Sequence, residues 1–121
     1  MRTALVVEDN PLNMELMEEL LGVHNFTIYK AENAIEAEEQ IKKGMPDVIF
    51  LDIQLPGEDG LSLAKRLQAE YGDELSVLIA VTAHAMRGDA EKILEAGFSH
   101  YLAKPLDLKA FNRLLADLGL T

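Results

Sequence analysis

A chain of 121 residues, 49% of them hydrophobic, is long enough to bury one core and too short for two domains. Its formal net charge of -10 works against a nucleic-acid partner, whose phosphates Lys and Arg would have to neutralise, and with no cysteine it forms no disulfide, thiol centre or cysteine-bound zinc site. The apolar runs are far too short to span a bilayer and Met1 stands three residues before the first of them, so the expectation is a cytoplasmic chain without a membrane partner.

Short β-rich runs alternate with helix-period segments, the pattern of an α/β domain on a parallel sheet. Ala4 to Glu8 reads as the first strand. The helix after it is well punctuated: Asn10 can cap it, Pro11 suits its first position, and Gly22 stops it. Its Met17, Leu20 and Leu21 make a core stripe, while Leu12 and Leu16 fall to another side. That spare apolar surface has two readings, an interface or packing against the second strand or last helix.

The second strand is expected over Phe26 to Lys30, and Asn33 with Glu36 imitates a capping box for a helix that Gly44 closes. Val48 to Asp52 forms the third strand, continuously apolar until it delivers a carboxylate and breaks into a loop shaped by Pro56, Gly57 and Gly60. A helix from Gly60 to Tyr71 then buries Leu63, Ala64 and Leu67. Val77 to Thr82 is the fourth strand, a helix ending at Gly97 follows, and His100 to Ala103 is the fifth strand, running into Lys104-Pro105. The last helix starts at Asp107, with Leu108, Phe111, Leu115 and Leu118 as its core-facing stripe. The fold expected is a doubly wound, flavodoxin-like sheet of five parallel strands in the order 2-1-3-4-5 with five helices.

In such a sheet ligands bind beyond the carboxyl ends of the strands, where the strand order reverses. Glu8-Asp9, Asp52, Thr82 and Lys104 all fall at those ends. A lone acid there is as readily a helix cap. Asp52 resists that explanation because a loop, not a helix, follows it. Three acids together repel one another by roughly 4 kcal/mol per pair at ~4 Å and an effective dielectric of about 20, so the fold needs compensation. A hard divalent cation on oxygen ligands supplies it, and Mg²⁺ is usually held by one or two carboxylates, waters and substrate phosphate. With a cation, Lys104 and the Thr82 hydroxyl around one carboxylate, the natural chemistry is phosphoryl transfer to Asp52, giving an aspartyl phosphate.

"VVEDN" at the first strand, "LDIQLPGEDG" around the third, "VTAHA" after the fourth and "YLAKP" at the fifth resemble, in order, the motifs of the receiver domains of two-component response regulators. The likeness covers the whole chain, 1–121, as a single receiver domain with no output domain. "VEDNPLN" and "VTAHAMRGDAEKILEAG" lean toward the stand-alone regulators of cell division. The resemblance implies a phosphorelay protein rather than an enzyme, apart from self-catalysed phosphorylation and slow dephosphorylation. By the same resemblance Glu8 and Asp9 are the acidic pair, Asp52 is phosphoacceptor and metal ligand, and the Gln54 carbonyl completes a Mg²⁺ site. Thr82 and Lys104 bind the phosphoryl group, Tyr101 is the switch aromatic, and Lys104-Pro105 is a cis peptide. Leu12, Asn13, Leu16, Pro105 and Leu106 then form the face that docks a sensor histidine kinase or histidine phosphotransfer protein, and a downstream protein target reads the result.

Three rivals are weaker. A phosphohydrolase of the haloacid dehalogenase type carries an acid two residues after its nucleophile, where this chain has Gln54. A flavin carrier needs a hydroxyl- and glycine-rich loop after the first strand, where "EDNPLN" repels phosphate. A degenerate receiver lacks the acidic and phosphate-binding residues that this chain keeps. His24, His84 and His100 share no metal-ligand spacing and read as surface or loop residues, with His84 set apart by its place two residues after Thr82.

Overall fold

The computed structural model describes residues 2–83 and 87–120, apart from the side chains of 87–89, so His84 lies outside the described residues. Five strands, β1 (Thr3–Val7), β2 (Thr27–Ala31), β3 (Val48–Asp52), β4 (Val77–Thr82) and β5 (His100–Ala103), form one parallel sheet in the order β2-β1-β3-β4-β5. The helices between and after them are α1 (Pro11–Gly22), α2 (Ala34–Lys43), α3 (Gly60–Tyr71), α4 (Arg87–Glu95) and α5 (Leu108–Asp117). The expected topology is observed, and β1 and β2 are displaced by one residue from the spans read in the sequence.

Because side chains alternate across a strand, each strand feeds both faces of the sheet. Leu5, Val7, Ile49, Leu51, Leu78 and Ala80 pack with buried residues of α2, α3 and α4. Ala4, Val6, Val48, Phe50, Ile79 and Val81 pack with those of α1 and α5, and the Phe50 and Phe111 rings stack with centroids 5.5 Å apart. Covered on both sides, β3 is buried along its whole length.

The helix starts follow the sequence. The Asn10 Oδ1 accepts from the Leu12 and Asn13 N–H groups at 2.9 and 3.2 Å, Asp59 caps α3, and Asp107 caps α5. Asn33 Oδ1 accepts from the Glu36 N–H at 2.9 Å, but the Glu36 carboxylate reaches back to the Glu32 N–H, one residue earlier than a capping box requires. The ends follow it less well. Gly22 is the last residue of α1, and the left-handed conformation that reverses the chain falls on Asn25, at φ 62°. Leu108 departs from the expected stripe: it is 54% exposed, because α5 turns Phe111, Leu114 and Leu115 to the core.

Candidate functional site

The parallel register brings the carboxyl ends of β1, β3, β4 and β5 side by side. Val7 pairs with Leu51, Asp52 with Val81, and Thr82 with Ala103, so the residues leaving these strands share one cleft. Glu8, Asp9 and Asp52 each place a carboxylate oxygen within 4.8 Å of the others, the one such acidic group among the described residues. Glu8 and Asp52 are buried, at 4% and 3% exposure, whereas Asp9 faces solvent.

Lys104 reaches into this cleft from the end of β5. Its Nζ lies 2.9 Å from Asp52 Oδ2 and 3.0 Å from Glu8 Oε1. One ammonium therefore compensates two buried carboxylates. Burial, then the hydrogen bond with Asp52, pushes the Glu8 carboxyl up to about 7 against the pull of Lys104. Burial also opposes charge on Lys104, but the hydrogen bonds to Asp52 and Glu8 outweigh it and raise the ammonium above the ordinary lysine value. Three acids and one base leave an excess of negative charge on hard oxygen donors, a set that fits Mg²⁺ or Ca²⁺ and does not resemble the nitrogen and sulfur sets of zinc.

The loop after β3 fixes the rotamer of Asp52. Its Oδ1 accepts from the Gln54 N–H at 2.9 Å, and the Ile53 N–H donates to the Val81 carbonyl at 3.2 Å. The loop returns at once, with the Gly60 N–H donating to the Ile53 carbonyl at 2.8 Å. A Cβ at Gly60 would run into the Asp52 carbonyl and lie 2.7 Å from the Ile53 Cα, so only glycine lets α3 begin so close to the phosphoacceptor candidate.

Thr82 is buried at the end of β4, and its carbonyl accepts from the Lys104 N–H at 2.8 Å. Lys104-Pro105 is cis, as the resemblance implies. Tyr101 stands on β5 opposite Ala80 and is 41% exposed. The five residues of the expected docking face divide. Leu12 is 75% exposed and Pro105 is exposed, Asn13 is half-buried, and Leu16 and Leu106 pack against the α1 and α5 core.

One group of residues was not singled out from the sequence. Arg66 of α3 grips Glu58 at two points, Nε to Oε2 at 2.8 Å and Nη2 to Oε1 at 2.5 Å, and its Nη1 pairs with Glu38 of α2. Ser62 Oγ adds a hydrogen bond to Glu58 Oε2 at 2.7 Å. The Arg66 contact, then Ser62, holds the Glu58 carboxyl down at about 2. Glu58 and Arg66 are eight residues apart across a helix start, and no helix-face rule pairs residues at that spacing.

The fold recurs in chemotaxis protein CheY4 of Vibrio cholerae, with a TM-score of 0.88, 19% identity and coverage of 97% of this chain and 98% of that one. The receiver domain of sensor histidine kinase PA1611 from Pseudomonas aeruginosa, solved with a magnesium ion coordinated in its active site cleft, superposes with a TM-score of 0.85 at 33% identity, covering 96% of this chain and 95% of that one. The polar-differentiation response regulator DivK of Brucella anthropi is 38% identical over 112 residues, 91% of this chain and 89% of that protein. With residues 4–116 matching the family model of the response regulator receiver domain as well, the chain belongs to the receiver domains of two-component response regulators.

Proposed function

We propose that this receiver is a phosphorylatable switch in which Asp52 takes a phosphoryl group from a phosphohistidine protein, a sensor histidine kinase or a histidine phosphotransfer protein, in a Mg²⁺-dependent reaction. The observation that carries this reading is the convergence of Glu8, Asp9 and Asp52 around Lys104 at one end of the sheet. The magnesium in the PA1611 receiver favours the same ion here.

Asp9, Asp52 and the Gln54 carbonyl would hold the Mg²⁺, with Glu8 behind them; when bound, the ion offsets charge on the transferring group. The rest is done by the chain. With Oδ1 held by the Gln54 N–H and Oδ2 by Lys104, the Asp52 carboxylate has one fixed orientation. An Asp52 oxygen attacks phosphorus in line, the P–N bond to the donor imidazole breaks, and the departing nitrogen keeps the electron pair. Lys104 then exchanges its contact with Asp52 for one with a phosphoryl oxygen while staying paired to Glu8, and the Thr82 hydroxyl donates to another. Hydrolysis of the aspartyl phosphate by water resets the switch. The whole chain acts as one cytoplasmic receiver, whose output passes through Tyr101 to a downstream protein.

Intact-mass spectrometry after treatment with acetyl phosphate tests this. The native chain gains one acid-labile phosphate, Asp52→Asn gains none, and excess chelator prevents the gain. Phosphate on the Asn variant, or on native protein in chelator, would overturn the assignment.

A further inference from the structure

We propose, resting on that reading, that Arg66 is a positioning residue for the cation site, and that its two-point grip on Glu58 and its tie to Glu38 hold the loop that carries Gln54. The first anchors of the loop lie on its inner side. Gln54 N–H is tied to Asp52, Ile53 N–H to Val81, and the Leu55 side chain is buried among the α2 and α3 residues of the core. Beyond Leu55 the chain turns outward through Pro56 and Gly57, both exposed, with Gly57 at φ 77°. That turn borders an open groove of about 490 Å³ with the exposed Ile35 across it.

At the far end of the turn Glu58 is fastened by Arg66 and Ser62, immediately before Asp59 caps α3. Arg66 is itself well placed to serve as an anchor, because neighbouring Ala64 and Leu67 fix α3 in the core and Glu38 ties the same guanidinium to α2. Rigid guanidinium geometry makes the grip directional, which a lysine in its place would not be. Freed from Arg66, residues 56–58 would sample several paths, and the slack would pull on Leu55 and Gln54, so that the main chain of Gln54 would spend less time where Asp52 and the cation need it. A cation requiring close to octahedral geometry is sensitive to that loss.

Calorimetric titration of Mg²⁺ at fixed ionic strength, on native protein, Arg66→Ala, Arg66→Lys, Glu58→Gln and the Glu58→Gln/Arg66→Ala double variant, tests this. Arg66→Ala is expected to weaken binding about three- to tenfold, at or below the range for supports one shell out from a metal ligand. The sign is diagnostic: removing a positive charge would by itself tighten binding of a cation. Glu58→Gln should weaken binding similarly, the double variant no more than either single one, and Arg66→Lys should recover only part of the loss. The half-saturating Mg²⁺ concentration for labelling by acetyl phosphate should move by the same factor. Unchanged or tighter binding in Arg66→Ala with native Mg²⁺ binding intact, or full recovery by Lys, overturns this proposal alone. A native protein that binds no Mg²⁺ overturns the functional reading together with it.

Discussion

Leu51 and Asp52 are neighbours in β3 and almost equally buried, at 0% and 3% exposure, yet burial does opposite things to them. In the middle of the sheet, removing apolar side chains from water stabilises the fold, by roughly 1.5 to 3 kcal/mol for each large one. At the carboxyl edge the same sheet removes carboxylates from water, which costs free energy that one lysine only partly offsets. The raised carboxyl of Glu8 is the visible sign of that cost. The interior is therefore relaxed, and the edge is strained electrostatically in a way that a cation or a neutralising change would relieve.

The largest effect belongs to the interior. Phe111→Ala, which removes a fully buried ring stacked on Phe50, is expected to destabilise the protein by about 3 to 5 kcal/mol in urea unfolding. In the fraction that stays folded, labelling of Asp52 by acetyl phosphate should persist. Loss of labelling without loss of stability would break the division between core and edge.

The second effect crosses that division. A phosphoryl group on Asp52 that draws the Thr82 hydroxyl toward it would open space that Tyr101, now 41% exposed, could fill. A tenfold change in the ratio of the two ring positions corresponds to about 1.4 kcal/mol. With fluorotyrosine in the chain, beryllofluoride, a mimic of the phosphoryl group, should shift the Tyr101 resonance in native protein and not in Thr82→Ala. An equal shift in both would show that the signal bypasses this pair.

A third and smaller effect tests the strain itself. Glu8 rises from an ordinary 4.5 to about 7 in the folded state, so the folded state binds this proton more tightly than the unfolded one. Its contribution to stability is fully present below pH 4.5, falls as pH rises between 4.5 and 7, and is absent above. Glu8→Gln, which mimics the neutral carboxyl, should thus stabilise metal-free protein well above pH 7 and leave it unchanged below pH 4.5. Saturating Mg²⁺ should shrink the difference. A variant less stable than native at pH 8 without metal would show that Lys104 compensates the edge fully.

The division between core and edge also explains what could be read in the sequence. Val48 to Asp52 was legible because a run buried on both faces has one signature, an apolar stretch, and because a carboxylate ends it. That Glu8, Asp9, Asp52, Thr82 and Lys104 would stand at neighbouring strand ends was legible, because the carboxyl ends of a parallel sheet all lie on one side; their roles belong to the proposal. Leu108 does not join the core although a three-residue step from Phe111 fits the core face: it is the first residue of α5 and 54% exposed, while the buried positions are Phe111, Leu114 and Leu115. The Glu58, Arg66 and Glu38 contacts were not legible, since they depend on how a loop lies across a helix and no periodicity encodes that.

The smallest effect separates the rim from both regions. Leu12, 75% exposed at the start of α1, has little apolar contact to lose, whereas Leu16 and Leu106 lean on the α1 and α5 core. Leu12→Ala should therefore change stability by less than about 0.5 kcal/mol, as surface substitutions usually do. Leu16→Ala should cost more than that, because it opens a gap beside buried side chains. If the start of α1 receives the phosphodonor protein, Leu12→Ala should still slow transfer from that protein, by about threefold, which corresponds to roughly 0.6 kcal/mol. Labelling by acetyl phosphate needs no docking and should be unaffected. Paired time courses with the two donors, read beside unfolding curves for both variants, decide the matter. Slowing with both donors would place Leu12 in the chemistry of the edge, and slowing with neither would leave it a solvent-facing leucine with no part in recognition.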